Sequence, residues 1–171
     1  MIYKVNYKIH VCAFILSAII CVIFFQCLLT NLYEMIAICE LSPIKGILIN
    51  YTLISLTLVY VMALIHELIH GLVSILLGGK VVIGFKWVYA YTKEVSNKHF
   101  KRFEYVLILL APVIIMTILL LPVNHWITNL VIIFNIMGST GDIVMSLIVL
   151  KHGKNSNIIS NNEGFEIIYN K

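Results

Sequence analysis

The chain has 171 residues, of which 61% are hydrophobic and only 12% charged, and its mean hydropathy is +0.99. A water-soluble domain carries about twice that share of charge, so a soluble globular fold is excluded and the bilayer is the expected solvent. The net charge of +4 is expected to reflect membrane topology and contact with anionic lipid, and gives no reason to propose nucleic acid as a partner.

Runs containing at most one Asp, Glu, Lys or Arg extend, in chain order, over Val11 to Thr30, Tyr51 to Gly78, Tyr105 to Leu121 and Trp126 to Leu150. Each can cross about 30 Å of hydrocarbon, which takes about 20 helical residues. Lipid offers no partner for unpaired backbone groups, so the runs are expected to be helices. They are continuous rather than alternating, which argues against a closed barrel. The predicted fold class is an all-α integral membrane protein with four transmembrane helices in a single membrane domain. Residues 1–50 supply an N-terminal helix and outer loop, 51–150 a three-helix core and 151–171 a tail.

The first run follows Lys4, Lys8 and His10, as a signal peptide would. Its apolar part exceeds the usual 7 to 15 residues and no small-x-small cleavage site follows, so a retained helix is expected. Basic residues accumulate in cytoplasmic connections. Here they flank the first run (Lys4, Lys8), fill the stretch after the second (Lys80, Lys86, Lys93, Lys98, Lys101, Arg102) and follow the fourth (Lys151, Lys154). The connection with Lys45, Glu34 and Glu40 and the turn Pro122 to His125 are poor in them. The expected location is the cell membrane, multi-pass, with both termini cytoplasmic. Cys12, Cys21, Cys27 and Cys39 show no C-x-x-C spacing, and a zinc or disulfide framework built on them is not expected.

An ionisable group in hydrocarbon costs about 2.5 to 3.5 kcal/mol on insertion scales, so each one invites a functional explanation. Within the four runs the acidic residues are Glu67 and Asp142 and the histidines are His66 and His70. Three of these form H-E-L-I-H. Residues four apart on a helix lie on one face, so His66 and His70 can present imidazoles to a single ion, with Glu67 beside them. Neutral imidazole is a good zinc ligand, and a carboxylate that does not bind the metal can act as a base on water. The alternative, buried polar groups without a shared purpose, carries a desolvation cost with nothing evident to offset it.

A catalytic zinc usually has three protein ligands, and Asp142 is the candidate third. The second and fourth helices should run in the same direction, and His70 and Asp142 each lie eight residues before the predicted ends at Gly78 and Leu150. At about 1.5 Å per residue both sit about 12 Å from those ends. Asn135, Ser139 and Asp142 share a helix face at i, i+4 and i+7. Small and polar residues such as Ser139 and Thr140 can serve as interhelical glue, but glue does not require a full charge. Asn135 is a candidate for orienting a ligand or the substrate.

H-E-L-I-H-G, a basic stretch, R-F-E-Y leading to Ala111-Pro112, and N-I-M-G-S-T-G-D together resemble the zincin peptidase family of small bacterial membrane proteins over residues 50 to 150. More distantly they are similar to site-2-protease intramembrane metalloproteases. The resemblance implies a three-helix core with His66, His70 and Asp142 as zinc ligands, Glu67 as base, and peptide cleavage in or near the membrane. The aspartate here stands in S-T-G-D-I rather than in Leu-Asp-Gly or Asn-Pro-Asp-Gly.

Val81, Ile83, Phe85, Trp87, Tyr89 and Tyr91 alternate through Lys80 to Thr92, which reads as a strand. It could pair with an extended substrate by edge addition, or form an interfacial hairpin anchored by its aromatics. Pro112 is expected to kink the third helix. The Asn-rich tail after Lys151 is expected to be disordered over its last dozen residues. The expected activity is that of a zinc-dependent intramembrane endopeptidase acting on a membrane-embedded or membrane-adjacent protein segment. The alternatives are a non-catalytic metal-binding transporter or sensor, or a degenerate scaffold or immunity-type interaction protein.

Overall fold

The apolar runs are helical in the computed structural model, which describes residues 2–4, 7–39, 44–86, 89–123, 125–153, 156–161 and 164–169. The elements are β1 (Ile2–Lys4), α1 (Tyr7–Ile23), α2 (Phe25–Cys39), α3 (Ile44–Leu76), β2 (Val81–Lys86), β3 (Tyr89–Glu94), β4 (Phe100–Lys101), α4 (Arg102–Leu120), α5 (Trp126–Gly138), α6 (Thr140–Leu150), β5 (Ser156–Asn161) and β6 (Gly164–Tyr169). The protein is mostly helical with small strands. Helices α3 and α4 are each long and apolar enough to cross a membrane, and up to four spans result if each of two bent pairs counts as one. Outward leucines fit a lipid surround, Leu68 being 52% and Leu72 56% exposed.

Two of the expected continuous helices are bent. The first run extends from Tyr7 to Cys39 as α1 and α2, inclined by 59°. The last divides at Ser139 into α5 and α6, inclined by 45°. There Ser139 Oγ donates to the Asn135 carbonyl at 2.7 Å and Thr140 Oγ1 to that of Met137 at 2.9 Å. Hydroxyls bonded back to the preceding turn bend a helix. Helix α3 begins at Ile44, ahead of the apolar run, and at about 1.5 Å per residue its 33 residues reach about 50 Å, longer than the hydrocarbon is thick.

Of the strand and the hairpin that the alternation from Lys80 to Thr92 allows, the hairpin is formed. Strands β2 and β3 pair antiparallel, from Val81 with Glu94 to Lys86 with Tyr89. Their connection, Trp87 and Val88, lies outside the described residues. A two-residue connection keeps the alternation in phase, and K-W-V-Y holds no Gly, Pro, Asn or Asp, so the break left no mark in the pattern. The hairpin lies on α3 over Gly71, where a Cβ would already meet Thr92 and Val81 at 3.5 Å.

The tail, expected to be disordered over its last dozen residues, forms strands over Ser156–Asn161 and Gly164–Tyr169. A four-stranded antiparallel sheet runs β1-β6-β5-β4, so the chain's start, the segment ahead of α4 and the tail meet at one end of the helices. Phe165 and Ile167 of β6 are buried while their neighbours are half-buried, and with Ile158 and Phe100 they pack on Tyr105, Val106, Leu109 and Val149. The polar composition hid two short strands, each contributing only one or two apolar side chains to the core. Lys154, named above as topogenic, and Glu40 lie outside the described residues, as do residues 170–171.

Phe165 has no exposed surface. Phe165→Ala is expected to destabilise the protein by about 3 kcal/mol through the cavity left behind, measured as a lower unfolding midpoint in a denaturant titration in detergent micelles.

Candidate metal centre

His66 and His70 sit one turn apart on α3, and the bend at Ser139 turns α6 so that Asp142, in its first turn, reaches them. His66 Nε2 and His70 Nε2 are 3.1 Å apart, and Asp142 Oδ2 stands 3.1 Å from the first and 3.5 Å from the second. Both histidines are buried and Asp142 is nearly so.

Which nitrogens face inward follows from the other side of each ring. His70 Nδ1 lies 2.8 Å from the carbonyl of Ile108, and a carbonyl only accepts, so Nδ1 carries the proton. That carbonyl is available because its ordinary helical partner is the residue four positions on, Pro112, which has no N–H. His66 Nδ1 lies 3.1 Å from Asn135 Oδ1. The orientation of Asn135 is fixed in turn, since its Nδ2 donates to the Pro112 carbonyl at 3.3 Å. His66 Nδ1 is therefore also a donor.

With both Nδ1 positions donating, the Nε2 atom of each neutral imidazole offers a lone pair, and the two converge with a carboxylate oxygen. Acceptors at this spacing are held together by a proton shared between Asp142 and a ring nitrogen or by a metal cation. Zinc bonds of about 2.0 to 2.2 Å place tetrahedral ligands about 3.3 Å apart, and the three observed separations bracket that value. The donor set therefore fits zinc, and two nitrogens with one carboxylate suit it better than the all-oxygen ions. Among the described residues this is the cluster able to hold a metal.

Glu67 is the motif residue outside this triangle. Its Oε2 accepts the Thr92 amide at 2.8 Å, and Thr92 Oγ1 donates to the Glu67 carbonyl at 2.7 Å, so β3 fastens the carboxylate from above α3. Two cavities meet at Glu67 and Asp142. One, of about 240 Å³, reaches past His70 to Glu94, Tyr105 and Ser160 near the sheets. The other, of about 330 Å³, lies between α3 and the bend at Ser139.

All five residues singled out in the sequence thus lie together: His66, His70 and Asp142 as the converging triangle, Asn135 behind His66, and Glu67 beside the triangle. Ser139 shares their helix face but spends its hydroxyl on the bend. Thr92, Ile108 and Pro112 were not anticipated in these roles. Pro112 could have been, since a proline in a membrane helix frees the carbonyl four residues earlier; Ile108 and Thr92 act through backbone groups, which leave no side-chain signal. Arg102, read as a topogenic charge, is buried, and its Nη1 donates to the His152 carbonyl at 2.6 Å, tying the start of α4 to the end of α6.

Removing the acceptor behind a ligating histidine typically costs 10- to 100-fold in metal affinity. Asn135→Leu is expected to weaken zinc binding by about that factor, read by competition with a chelating dye, while leaving the stoichiometry at saturation unchanged.

The family model described as Putative zincin peptidase matches residues 59–157, and no curated protein and no solved structure matches the chain. That stretch runs from the turn of α3 ahead of His66 into β5 and contains His66, Glu67, His70, Asn135 and Asp142. With more than half its length covered by the match, the chain belongs to this zincin peptidase family.

Proposed function

We propose that the protein is a zinc-dependent intramembrane endopeptidase, with His66, His70 and Asp142 holding the metal and Glu67 acting as general base and acid. The observation that carries this reading is the convergence of three potential ligand atoms inside apolar helices, with a fourth ionisable group held beside them and outside the ligand set. Zinc bound there polarises the scissile carbonyl and acidifies the attacking water. Glu67 takes the water's proton and returns it to the leaving amine. Because Oε2 accepts the Thr92 amide, Oε1 is the oxygen left for the proton.

The same amide supports a mode of substrate binding. It points out of the β2–β3 ladder toward Glu67, and among the described residues β3 pairs only with β2, so its outer edge faces the site. An extended segment of a membrane-embedded or membrane-adjacent protein laid along that edge would carry its backbone past the metal. Unwinding matters because a helix buries its peptide bonds in its own hydrogen bonds.

Four spans with both termini cytoplasmic fit the same reading. Each bent pair then counts as one crossing, and the sheet that joins the chain's start, the segment ahead of α4 and the tail gathers the basic segments on one side. His70 lies six residues before the end of α3 and Asp142 eight before the end of α6, about 9 and 12 Å from that side. The centre then occupies the cytoplasmic half of the bilayer. A non-catalytic transporter or sensor would need the triangle but gives no role to Glu67.

Glu67→Gln is expected to keep stoichiometric zinc and to lose about 10²- to 10⁴-fold in cleavage of a transmembrane reporter substrate, followed by gel and metal analysis on the same sample. Undiminished cleavage would exclude Glu67 as the base. Absence of zinc from the unmodified protein, with no change in His66→Ala, would favour the scaffold alternative.

A further inference from the structure

Of the two mostly apolar cavities that meet at Glu67 and Asp142, the smaller opens toward the sheets and the larger lies at the bend. It is bounded by Met62 and Ala63 on α3 and by Gly138 and Gly141 on either side of the bend, and its polar atoms belong to His66, Glu67 and Asp142. An occupant there therefore meets the catalytic groups at one end and apolar surface elsewhere. The two glycines keep the space open: a Cβ at Gly141 would meet nothing within 4 Å, and one at Gly138 would meet only the end of Met62 at 3.8 Å. Gly138 closes α5 and Gly141 lies in the first turn of α6, and neither has a positive φ. That space exists because α5 packs on α3 whereas α6, past the bend, packs on α4.

Resting on the endopeptidase reading, we infer that this cavity is the subsite that selects the substrate, receiving a bulky apolar side chain next to the scissile bond, with Gly138 and Gly141 setting its size. About 330 Å³ accommodates leucine, methionine or phenylalanine, and an alanine there leaves most of the apolar wall uncovered. The cavity shares Glu67 and Asp142 with the smaller one, so a chain crossing the metal centre places its flanking side chains on opposite sides of it.

Gly141→Leu tests the assignment, because the new side chain enters open space and replaces a weak helix former. The full-length protein, zinc-loaded in lipid nanodiscs, is titrated with two capped dipeptide hydroxamates that differ only in a leucine or alanine side chain, and cleavage of matching peptides is followed in parallel. The unmodified protein is expected to bind the leucine compound about 10- to 100-fold more tightly, the range for a few methylenes in an apolar pocket. In Gly141→Leu, with zinc content unchanged, the preference is expected to vanish or reverse toward alanine, and Gly141→Ala to fall between. An equal affinity for both compounds in the unmodified protein, or a leucine preference that survives Gly141→Leu, overturns the subsite. The expected hydroxamate pattern without cleavage of any peptide overturns the endopeptidase reading and leaves the subsite standing. A protein that takes up no zinc overturns both.

Discussion

An imidazole placed in a membrane helix has an N–H that lipid cannot satisfy, and where that N–H finds its acceptor decides which nitrogen is left to bind. In this protein the demand arises twice, at His66 and His70, and the answers come from two different helices. Helix α4 offers the Ile108 carbonyl, freed by Pro112, and α5 offers Asn135, itself held by the Pro112 carbonyl. One proline therefore serves both histidines, directly through a missing N–H and indirectly through its own oxygen. The relative placement of α3, α4 and α5 around the centre follows from these bonds, and their strength is favoured by the absence of competing water.

The third ligand adds a second constraint, because Asp142 must approach from α6 without lengthening the chain. The bend at Ser139 does this, and Arg102 fixes the far end of α6. Its guanidinium lies at the α6 C-terminus, where exposed carbonyls carry partial negative charge, and it donates to the Leu150 and His152 carbonyls. A residue whose sequence context marks it as a cytoplasmic charge thus also anchors the helix that carries a proposed ligand. Tyr105, one turn further along α4, packs its ring on Phe165 at 5.7 Å and on Phe100 at 6.4 Å. The tail sheet is by this route part of the wall of the smaller cavity beside the metal triangle.

The features legible in the sequence were those in which a side chain is out of place in its solvent. His66, Glu67, His70 and Asp142 are ionisable groups in apolar runs, and the cost of putting them there makes them visible without a structure. The period of the helix then paired the two histidines, and counting from the helix ends matched their depth to that of Asp142. The features that escaped are carried by the backbone or by local balance. The Ile108 carbonyl and the Thr92 amide belong to residues whose side chains say nothing of their role. The strands of the tail bury too few apolar groups to outweigh a polar composition. Bends at Phe24 and Ser139 left the hydropathy of their runs continuous, so length and apolarity alone predicted straight helices.

Two mostly apolar cavities meet at Glu67 and Asp142. The one toward Glu94, Tyr105 and Ser160 is bounded by the strands and lies at the end where the basic segments gather. The one beyond the bend is lined by Met62, Ala63, Gly138 and Gly141 together with His66, Glu67 and Asp142. Glu67, fastened by Thr92, stands where the two cavities meet, which on the proposed reading is where it takes a proton from water. Polar groups at these cavities would ordinarily be a liability, but each has a partner: Asn135 for His66, Thr92 for Glu67, and His66 Nε2 for Asp142. Filling the cavity beyond the bend with substrate would exclude water from that face and strengthen every electrostatic interaction at the centre, so on the proposed reading the fit of a side chain there bears on rate as well as on selection.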